Sequence, residues 1–364
     1  MSRKPFHNLL LGLALLTLPA AARAVPSTAT FSGPPDAFFG GDISQGQAYI
    51  RLNLAKEGKF TGILNFTGGT HNVIKGTLQA SGSFSGTTSV NNIPYTLQVT
   101  GSTPGTYSLS GSAAGSTFIA FPQIDVKGGT LPPPAKFNNL MEATGTGNIP
   151  GGFGYNTLHV GKMGTGMLSG KLPDGTTFTA AGKLVADGTN IYILFLDDRS
   201  LYNRKGEVSG YLAFDGTQSE GEFVWIKPAT KGPYYPAGFT TRLGTGGYVY
   251  SRSVGDTFTS GTLAFNGGML GTSGTEFTFT VSSKGVATVT PPNPSDFKLS
   301  INAATGAVKG AFNFPQMISG KTVVVKYSGI LLQDGTTPFI SGYFLSPIIS
   351  GSGTSGSFES TDFP

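Results

Sequence analysis

One spacing, Gly-x-apolar-x-Gly-x-apolar, recurs along this chain. Because successive side chains of a strand point to opposite faces of a sheet, a period of two is the period of a β-strand. Glycine at alternate positions leaves one face of such a strand almost bare, so another backbone can approach it closely. The pattern therefore predicts a repetitive β-protein. Clear copies lie at residues 58–64, 166–172, 206–212 and 306–312, and a weaker copy contains Gly82, Phe84 and Gly86.

Three of these copies belong to a longer unit of strand, tight turn, strand, loop and strand. This order predicts three-stranded antiparallel meanders. Asp-Gly pairs between the alternating runs supply the positive φ values that two-residue hairpins need. Because no helical period of useful length follows residue 24, we predict an all-β fold of antiparallel meanders forming β-sandwich or barrel-like domains. The Asp-Gly pairs begin at Asp174, Asp187, Asp215 and Asp334.

The composition fits a folded chain without cysteine chemistry. Glycine occupies 55 of 364 positions and charged residues only 12%, yet 27 Phe and 13 Tyr supply apolar area for a core. The sequence has no cysteine, which excludes disulfides, zinc–thiolate and iron–sulfur sites, and a cysteine nucleophile. We expect no cofactor.

Residues 1–24 have the features of a secretory signal peptide. Two basic residues, Arg3 and Lys4, precede an apolar stretch, and Ala22-Arg23-Ala24 fits a small-x-small cleavage site. Cleavage would remove three of the 24 basic residues and none of the 19 acidic ones, so the net charge would fall from +5 to +2. We therefore predict an exported protein, extracellular or in a bacterial cell envelope. We expect no nucleic-acid partner, and no membrane association once the signal is removed.

Proline and glycine clusters suggest the domain organisation. We predict an N-terminal linker or extended segment at 25–48 and a first β-meander domain at 49–130. A Pro/Gly-rich linker follows at 131–152, and a second, larger β-meander domain occupies 153–364. The strongest boundary is the sequence Leu-Pro-Pro-Pro at 131–134.

The least repetitive segment contains the only tryptophan, Trp225, and the adjacent tyrosines Tyr234 and Tyr235. Tyrosines held between prolines are stiff, and stiff aromatic side chains bind sugar or planar faces at low entropic cost. Lys227 and Lys231 could add hydrogen bonds or cation–π contacts. We predict a surface here for extracellular polysaccharide or for surface proteins. The alternative is a loop whose aromatic side chains close one end of a sandwich or barrel.

Few residues suggest catalysis or metal binding. Glu220 and Glu222 lie on the same side of a predicted strand, about 7 Å apart by strand rise. Such a pair could supply the acid and the base or nucleophile of glycoside hydrolysis; the alternative is a solvent-facing acidic edge. His71 and His159 are isolated in the sequence, and we predict no metal site.

Two stretches resemble a known kind of sequence. The run Trp-Ile-Lys-Pro…Lys-Gly-Pro-Tyr-Tyr-Pro-Ala-Gly-Phe at 225–239, together with 328–333 and 342–345, resembles a Gly-rich β-repeat region. This region recurs near the C-termini of large bacterial secreted and surface proteins. The resemblance covers residues 155–358, and this chain carries an additional β-segment at 25–130. Since that family has no assigned activity, the resemblance implies only an exported, cell-envelope setting.

Together these observations predict a non-enzymatic secreted or cell-envelope β-protein with a structural or adhesive role. It would bind glycan or protein through the aromatic segment. Two alternatives stay open at this point. One is a glycan-active hydrolase that uses the paired glutamates, and the other is an outer-membrane β-barrel, which strand alternation and the Phe/Tyr content allow.

Overall fold

The computed structural model describes most of the chain. The described residues are 29–33, 48–69, 71–101, 107–124, 131–186, 191–251, 259–270, 274–282, 284, 286–334 and 337–361. The predicted signal peptide, most of the predicted segment 25–48 and the Asp-Gly turn at 187–188 lie outside them. No helix among the described residues is long and apolar enough to cross a membrane.

The described residues are mostly β-strand, and the other regular elements are a 3-10 turn at Lys56–Gly58 and one helical turn, α1 (Leu201–Arg204). The strands before α1 are β1 (Ala29–Gly33), β2 (Ala48–Leu54), β3 (Lys59–Phe66), β4 (His71–Thr77), β5 (Ser83–Thr87), β6 (Pro94–Thr100), β7 (Ser108–Ala113), β8 (Ser116–Pro122), β9 (Ala135–Thr144), β10 (Gly154–Gly161), β11 (Thr165–Lys171), β12 (Thr177–Lys183), β13 (Val185–Ala186) and β14 (Tyr192–Asp198). The strands after α1 are β15 (Glu207–Phe214), β16 (Gln218–Lys227), β17 (Phe239–Val249), β18 (Ser260–Gly267), β19 (Thr275–Val281), β20 (Ala287–Val289), β21 (Lys298–Ile301), β22 (Ala307–Asn313), β23 (Val324–Leu332), β24 (Phe339–Leu345) and β25 (Ser355–Thr361).

The chain divides into two compact units. The first comprises Met1–Thr130 with Lys183–Phe195, and the second comprises Leu131–Gly182 with Leu196–Pro364. The division at Thr130 falls directly before the Leu-Pro-Pro-Pro sequence, and a further division falls within β14.

The stretch 131–152, which the sequence analysis assigns to a linker, contains the ten-residue strand β9. This strand pairs with β10 on one side and β17 on the other. Phe137, Asn139 and Met141 are fully buried on one of its faces. The prolines precede the strand and so interrupt none of its hydrogen bonds.

The first unit contains an eight-stranded antiparallel sheet in the order β4-β3-β2-β1-β8-β7-β6-β5. Its end strands β4 and β5 approach each other, so the sheet nearly closes into a barrel. Residues at every second position face an apolar interior, as the period of a strand requires. Members of this core are Ile50, Leu52, Phe60, Leu64, Ile74, Leu97, Leu109 and Phe118.

The second unit contains two antiparallel sheets. The strands of the second sheet that lie wholly or partly in this unit follow the order β12-β11-β10-β9-β17-β16-β15-β14. In the third sheet the order is β20-β19-β18-β25-β24-β23-β22-β21, and its end strands β20 and β21 also come close together. The prediction of an all-β fold with antiparallel meanders and barrel-like domains is therefore confirmed.

All three sheets follow one plan. In each, the first strand along the chain pairs with the last: β1 with β8, β9 with β17, and β18 with β25. The strands between them pair with their neighbours in sequence as up-and-down meanders. The two edge strands of each sheet therefore come from the middle of its sequence and not from its ends.

Aromatic rings fill the interior of the third sheet. The centroid of the Phe265 ring lies 4.8 Å from that of Phe312, 5.1 Å from Tyr327 and 5.2 Å from Phe358. Phe277 and Phe297 stack face to face at 4.2 Å. Such a cluster makes this interior a packed core.

The second and third sheets meet inside the second unit. Asn138 of β9 is fully buried, and its Nδ2 donates hydrogen bonds to the carbonyl oxygens of Thr305 and Leu331, both at 3.0 Å. The rings of Tyr155 and Tyr343 stack across the same boundary with centroids 6.5 Å apart. Polar and aromatic contacts therefore hold these two sheets together.

Candidate functional site

The aromatic segment that the sequence marks as unusual lies where the second and third sheets meet. Trp225, near the end of β16, has no exposed surface. Its Nε1 donates to the hydroxyl of Tyr202 at 3.1 Å, and the ring of Phe239 packs edge-on against it at 4.6 Å. Trp225 therefore presents no ring face to a ligand.

The two adjacent tyrosines bind the third sheet. The Tyr234 hydroxyl donates to the carbonyl oxygen of Ser346 at 2.7 Å. Tyr235 is buried, and its hydroxyl lies 2.8 Å from Ser355 Oγ and accepts a hydrogen bond from the Ser355 amide at 2.8 Å. The Gly353 amide adds a bond to the carbonyl oxygen of Pro233. We call Tyr202, Trp225, Tyr234, Tyr235 and Phe239 the aromatic joint.

A buried ion pair adjoins the aromatic joint. Lys227 is the last residue of β16, and its Nζ lies 3.4 Å from Oδ2 of Asp174. The same Nζ lies over the Tyr202 ring, 4.3 Å from its centroid. Asp174 is in the β11–β12 turn, where its Oδ1 accepts the Thr176 amide at 2.9 Å as the Asp-Gly pattern predicts. Lys231, by contrast, is exposed.

Tyr202 reaches the joint from an unusual backbone. Within α1 and its flank, Tyr202, Asn203 and Arg204 have φ of 51°, 59° and 64°, which is a left-handed turn made without glycine. Each such residue costs about 1–2 kcal/mol. The turn is held because the Tyr202 hydroxyl donates to Asp174 Oδ2 at 2.7 Å while accepting from Trp225. Burial first, and the Asp174 charge second, raise the pKa of Tyr202 and keep the phenol protonated.

The structure brings together most of the residues that the sequence analysis predicts to bind a ligand, but most of their side chains are buried in the protein. Trp225, Tyr235 and Lys227 are buried, Tyr234 is half-buried, and only Lys231 is exposed. Sequence reasoning misses Tyr202, which has no local signal. It identifies Asp174 only as a turn residue.

The paired glutamates lie on the opposite face of β16 from Trp225. Glu222 is half-buried, and its Oε1 forms an ion pair with Arg242 Nη1 at 2.6 Å. Burial raises the pKa of Glu222 and outweighs the lowering effect of Arg242. Burial, then the charges of Glu222 and Glu220, also raise the pKa of Tyr211 on the neighbouring strand.

Two glycines of β17 leave the sheet bare beside these carboxylates. Gly244 lies between Glu222 of β16 and Glu142 of β9, and Gly246 lies opposite Glu220. A Cβ at Gly244 would meet no described atom within 4 Å. The strand spacing places the backbones of Glu222 and Glu142 about 10 Å apart across this gap. We call Glu142, Glu220, Glu222, Gly244 and Gly246 the acidic ledge.

The two histidines of the described chain are apart from these features. His71 Nδ1 lies 3.0 Å from Asn65 Oδ1 in the first unit. His159 is on β10 of the second unit, and burial together with the charge of Lys136 lowers its pKa. Within the part of the chain that the structure describes, no group of three His, Asp or Glu side chains could hold a metal ion.

A comparison with known protein families finds none that matches the chain, and a comparison with curated proteins finds no similar sequence. Chemically, the aromatic joint uses its hydroxyl and indole groups in bonds within the protein. Its two adjacent tyrosines fasten the second sheet to the third. The acidic ledge is the one described feature here that combines carboxylates with an uncovered backbone.

Proposed function

We propose that this chain is a non-enzymatic, exported β-protein of the cell envelope or its surroundings, with a structural or adhesive role. One observation carries this proposal. The aromatic and charged residues that stand out from the repeats make their bonds within the protein: Trp225 and Lys227 bind partners of the second sheet, and Tyr235 fastens that sheet to the third.

The packed interiors support the same proposal. Barrels that carry a small ligand keep a cavity open between their strands. Here the rings of Phe265, Phe312, Tyr327 and Phe358 occupy the centre of the third sheet. A rigid body with a filled interior offers its outer surface to partners.

That outer surface is rich in hydroxyl groups. Thr278 and Thr280 of β19 and Thr288 of β20 are exposed at alternate positions, and β12 exposes Thr177 and Thr179. Hydroxyl groups both donate and accept hydrogen bonds, as the hydroxyls of a polysaccharide do. Extracellular polysaccharides and surface proteins are therefore the partners we propose.

The test measures binding and turnover in one assay. Purified protein is incubated with cell-wall and extracellular polysaccharides, and the bound fraction and the released reducing sugar are both measured. We expect retention on at least one polymer without release of sugar. Steady release of sugar that a Glu222→Gln change abolishes would overturn the proposal.

A specific observation favours a second candidate, a glycan-active hydrolase at the acidic ledge. Glu222 has a raised pKa, as a general acid needs, and the bare backbone at Gly244 leaves room beside it. Its ion pair with Arg242 argues against free proton transfer. Glu276→Gln, at an exposed position of β19 away from the ledge, is the control: a hydrolase would lose activity with Glu222→Gln and keep it with Glu276→Gln.

A further inference from the structure

The buried pair of Lys227 and Asp174 is unusual in its surroundings. The exposed fractions of the two side chains are only 7% and 3%. Among the described residues, the carboxylate oxygen at 3.4 Å is the one polar partner of Lys227 Nζ, and its other neighbour is the face of the Tyr202 ring. An ammonium group has three N–H donors to satisfy. Asp174 accepts hydrogen bonds from the Thr176 amide and the Tyr202 hydroxyl, but the ammonium group of Lys227 keeps unsatisfied donors, and a buried charge in that state is costly.

A neutral product would remove that cost. Condensation of the two groups, in which Nζ passes one proton to the carboxylate before it attacks, would consume both buried charges. Nζ lies 3.4 Å from Oδ2, which is bonded to the carboxyl carbon that the amine would attack. Condensation would leave one amide N–H and one carbonyl oxygen in place of two ions.

We propose that Lys227 and Asp174 condense to an intramolecular amide that joins the end of β16 to the β11–β12 turn. The Nζ lone pair attacks Cγ of Asp174, so a C–N bond forms. The bond from Cγ to Oδ2 breaks, and Oδ2 leaves as water. Both charges and one water molecule are lost, and the step needs no oxidant, reductant or other reagent.

Tyr202 is placed to move the proton in this step. Its hydroxyl donates to Oδ2, the leaving oxygen, at 2.7 Å. It can therefore pass its proton to Oδ2 as the C–O bond breaks while it takes up a proton from the nitrogen in the same step, so that no phenolate forms in a site that disfavours one. The left-handed turn that carries Tyr202 is strained, and strain of this kind is often kept where a side chain must be held in position.

This proposal goes beyond the structural or adhesive function and does not depend on it, because the cross-link is measured without any partner. The full chain is purified, denatured and digested with trypsin, and the peptides are weighed by mass spectrometry. Asp174 lies in the tryptic peptide 172–183, and Lys227, which precedes a proline, lies inside the peptide 206–231. We expect one joined species whose mass is that of both peptides less one water. Full recovery of the two separate peptides, with an intact mass that shows no loss of water, would overturn the proposal.

Two variants and one control pair within the same chain sharpen the test. Lys227→Met keeps the unbranched stem without the amine and should restore the full mass. Tyr202→Phe keeps the ring over Nζ but removes the hydroxyl, so cross-linking followed after cell-free synthesis should slow by about 100-fold; an unchanged rate would remove Tyr202 from the mechanism. Lys298 and Asp296 form the control pair at 2.9 Å, since both side chains are largely exposed. A cross-link there as well would contradict the role given to burial.

Discussion

At the scale of single residues, the repeated glycines mark positions where another backbone or a ring lies too close for a side chain. The second glycine of each clear copy, at positions 62, 170, 210 and 310, lies against a carbonyl oxygen of the neighbouring strand. A Cβ at Gly310 would overlap Lys298 O and the Tyr327 ring. The expectation that these glycines permit close backbone approach is confirmed.

This geometry predicts that Gly310→Ala destabilises the second unit by about 3 kcal/mol, because overpacking forces both the strand and the ring to move. Gly244→Ala is the matched control, since its Cβ would meet no described atom within 4 Å. We expect it to change stability by less than about 0.5 kcal/mol. Urea unfolding followed by fluorescence of Trp225, the only tryptophan, measures both. Equal effects of the two changes would contradict the explanation.

A second residue-scale prediction concerns pH. Because burial raises the pKa of Glu222 above its ordinary value of 4.5, the folded state holds this proton more tightly than the unfolded chain does. Its contribution to stability is therefore present below pH 4.5 and is lost as the pH rises through the folded-state pKa. Glu222→Gln should flatten this fall in a urea-unfolding series at stepped pH. A pH profile identical to that of the unchanged protein would show that the group titrates normally.

At the scale of elements, the sequence predicts those parts whose cause is local. Alternating glycines indicate strands, and turns form at Asp174 and Asp215, whose carboxylates accept the Thr176 and Thr217 amides. The predicted positive φ occurs at Gly175 but at neither Asp215 nor Gly216, so the two-residue hairpin geometry is not formed there. Trp225 could not be placed in the same way. Its partner Tyr202 is 23 residues away, and Ser355, which binds Tyr235, is 120 residues away. Only the tertiary fold brings these residues together. The sequence therefore identifies an unusual segment, but it does not show whether the aromatic side chains face the solvent or the interior.

No sequence pattern predicts the left-handed turn at α1, because the turn contains no glycine. Arg204 is exposed with φ of 64°, so Arg204→Gly should stabilise the second unit by about 0.5–1 kcal/mol as backbone strain is released. The neighbouring Lys205 has φ of −108° and is the matched control. Lys205→Gly should bring no gain. Thermal unfolding of the two variants measures the change in stability. A higher stability in both variants would indicate a cause other than backbone strain.

At the scale of the whole molecule, the first-to-last strand pairing of each sheet makes its two ends hold each other, while the opening lies inside the sequence. The pairing of the first strand with the last brings the two ends of each sheet's sequence together. Aromatic rings then fill the interior, and the glycines let the neighbouring backbone or ring lie close. In the second unit, polar connections then couple sheet to sheet, and two of them use buried side chains: the Tyr235 hydroxyl on Ser355, and the Asn138 amide on Thr305 and Leu331.

This coupling predicts that the second and third sheets unfold together, and that weakening both connections separates them. Loss of each buried bond costs about 1–3 kcal/mol, since its partners are left unsatisfied. In the double variant Tyr235→Phe/Asn138→Ala we expect amide hydrogen exchange of β22–β24 to become faster than that of β15–β17, and the urea transition to broaden as cooperativity falls. Each single change should lower stability while keeping one transition. If the double variant still unfolds in one sharp step with equal protection in both sheets, the contacts that remain across the boundary, among them the Tyr155–Tyr343 stack and the Tyr234 bond to Ser346, suffice to couple them. The two removed connections would then set only the geometry of the joint.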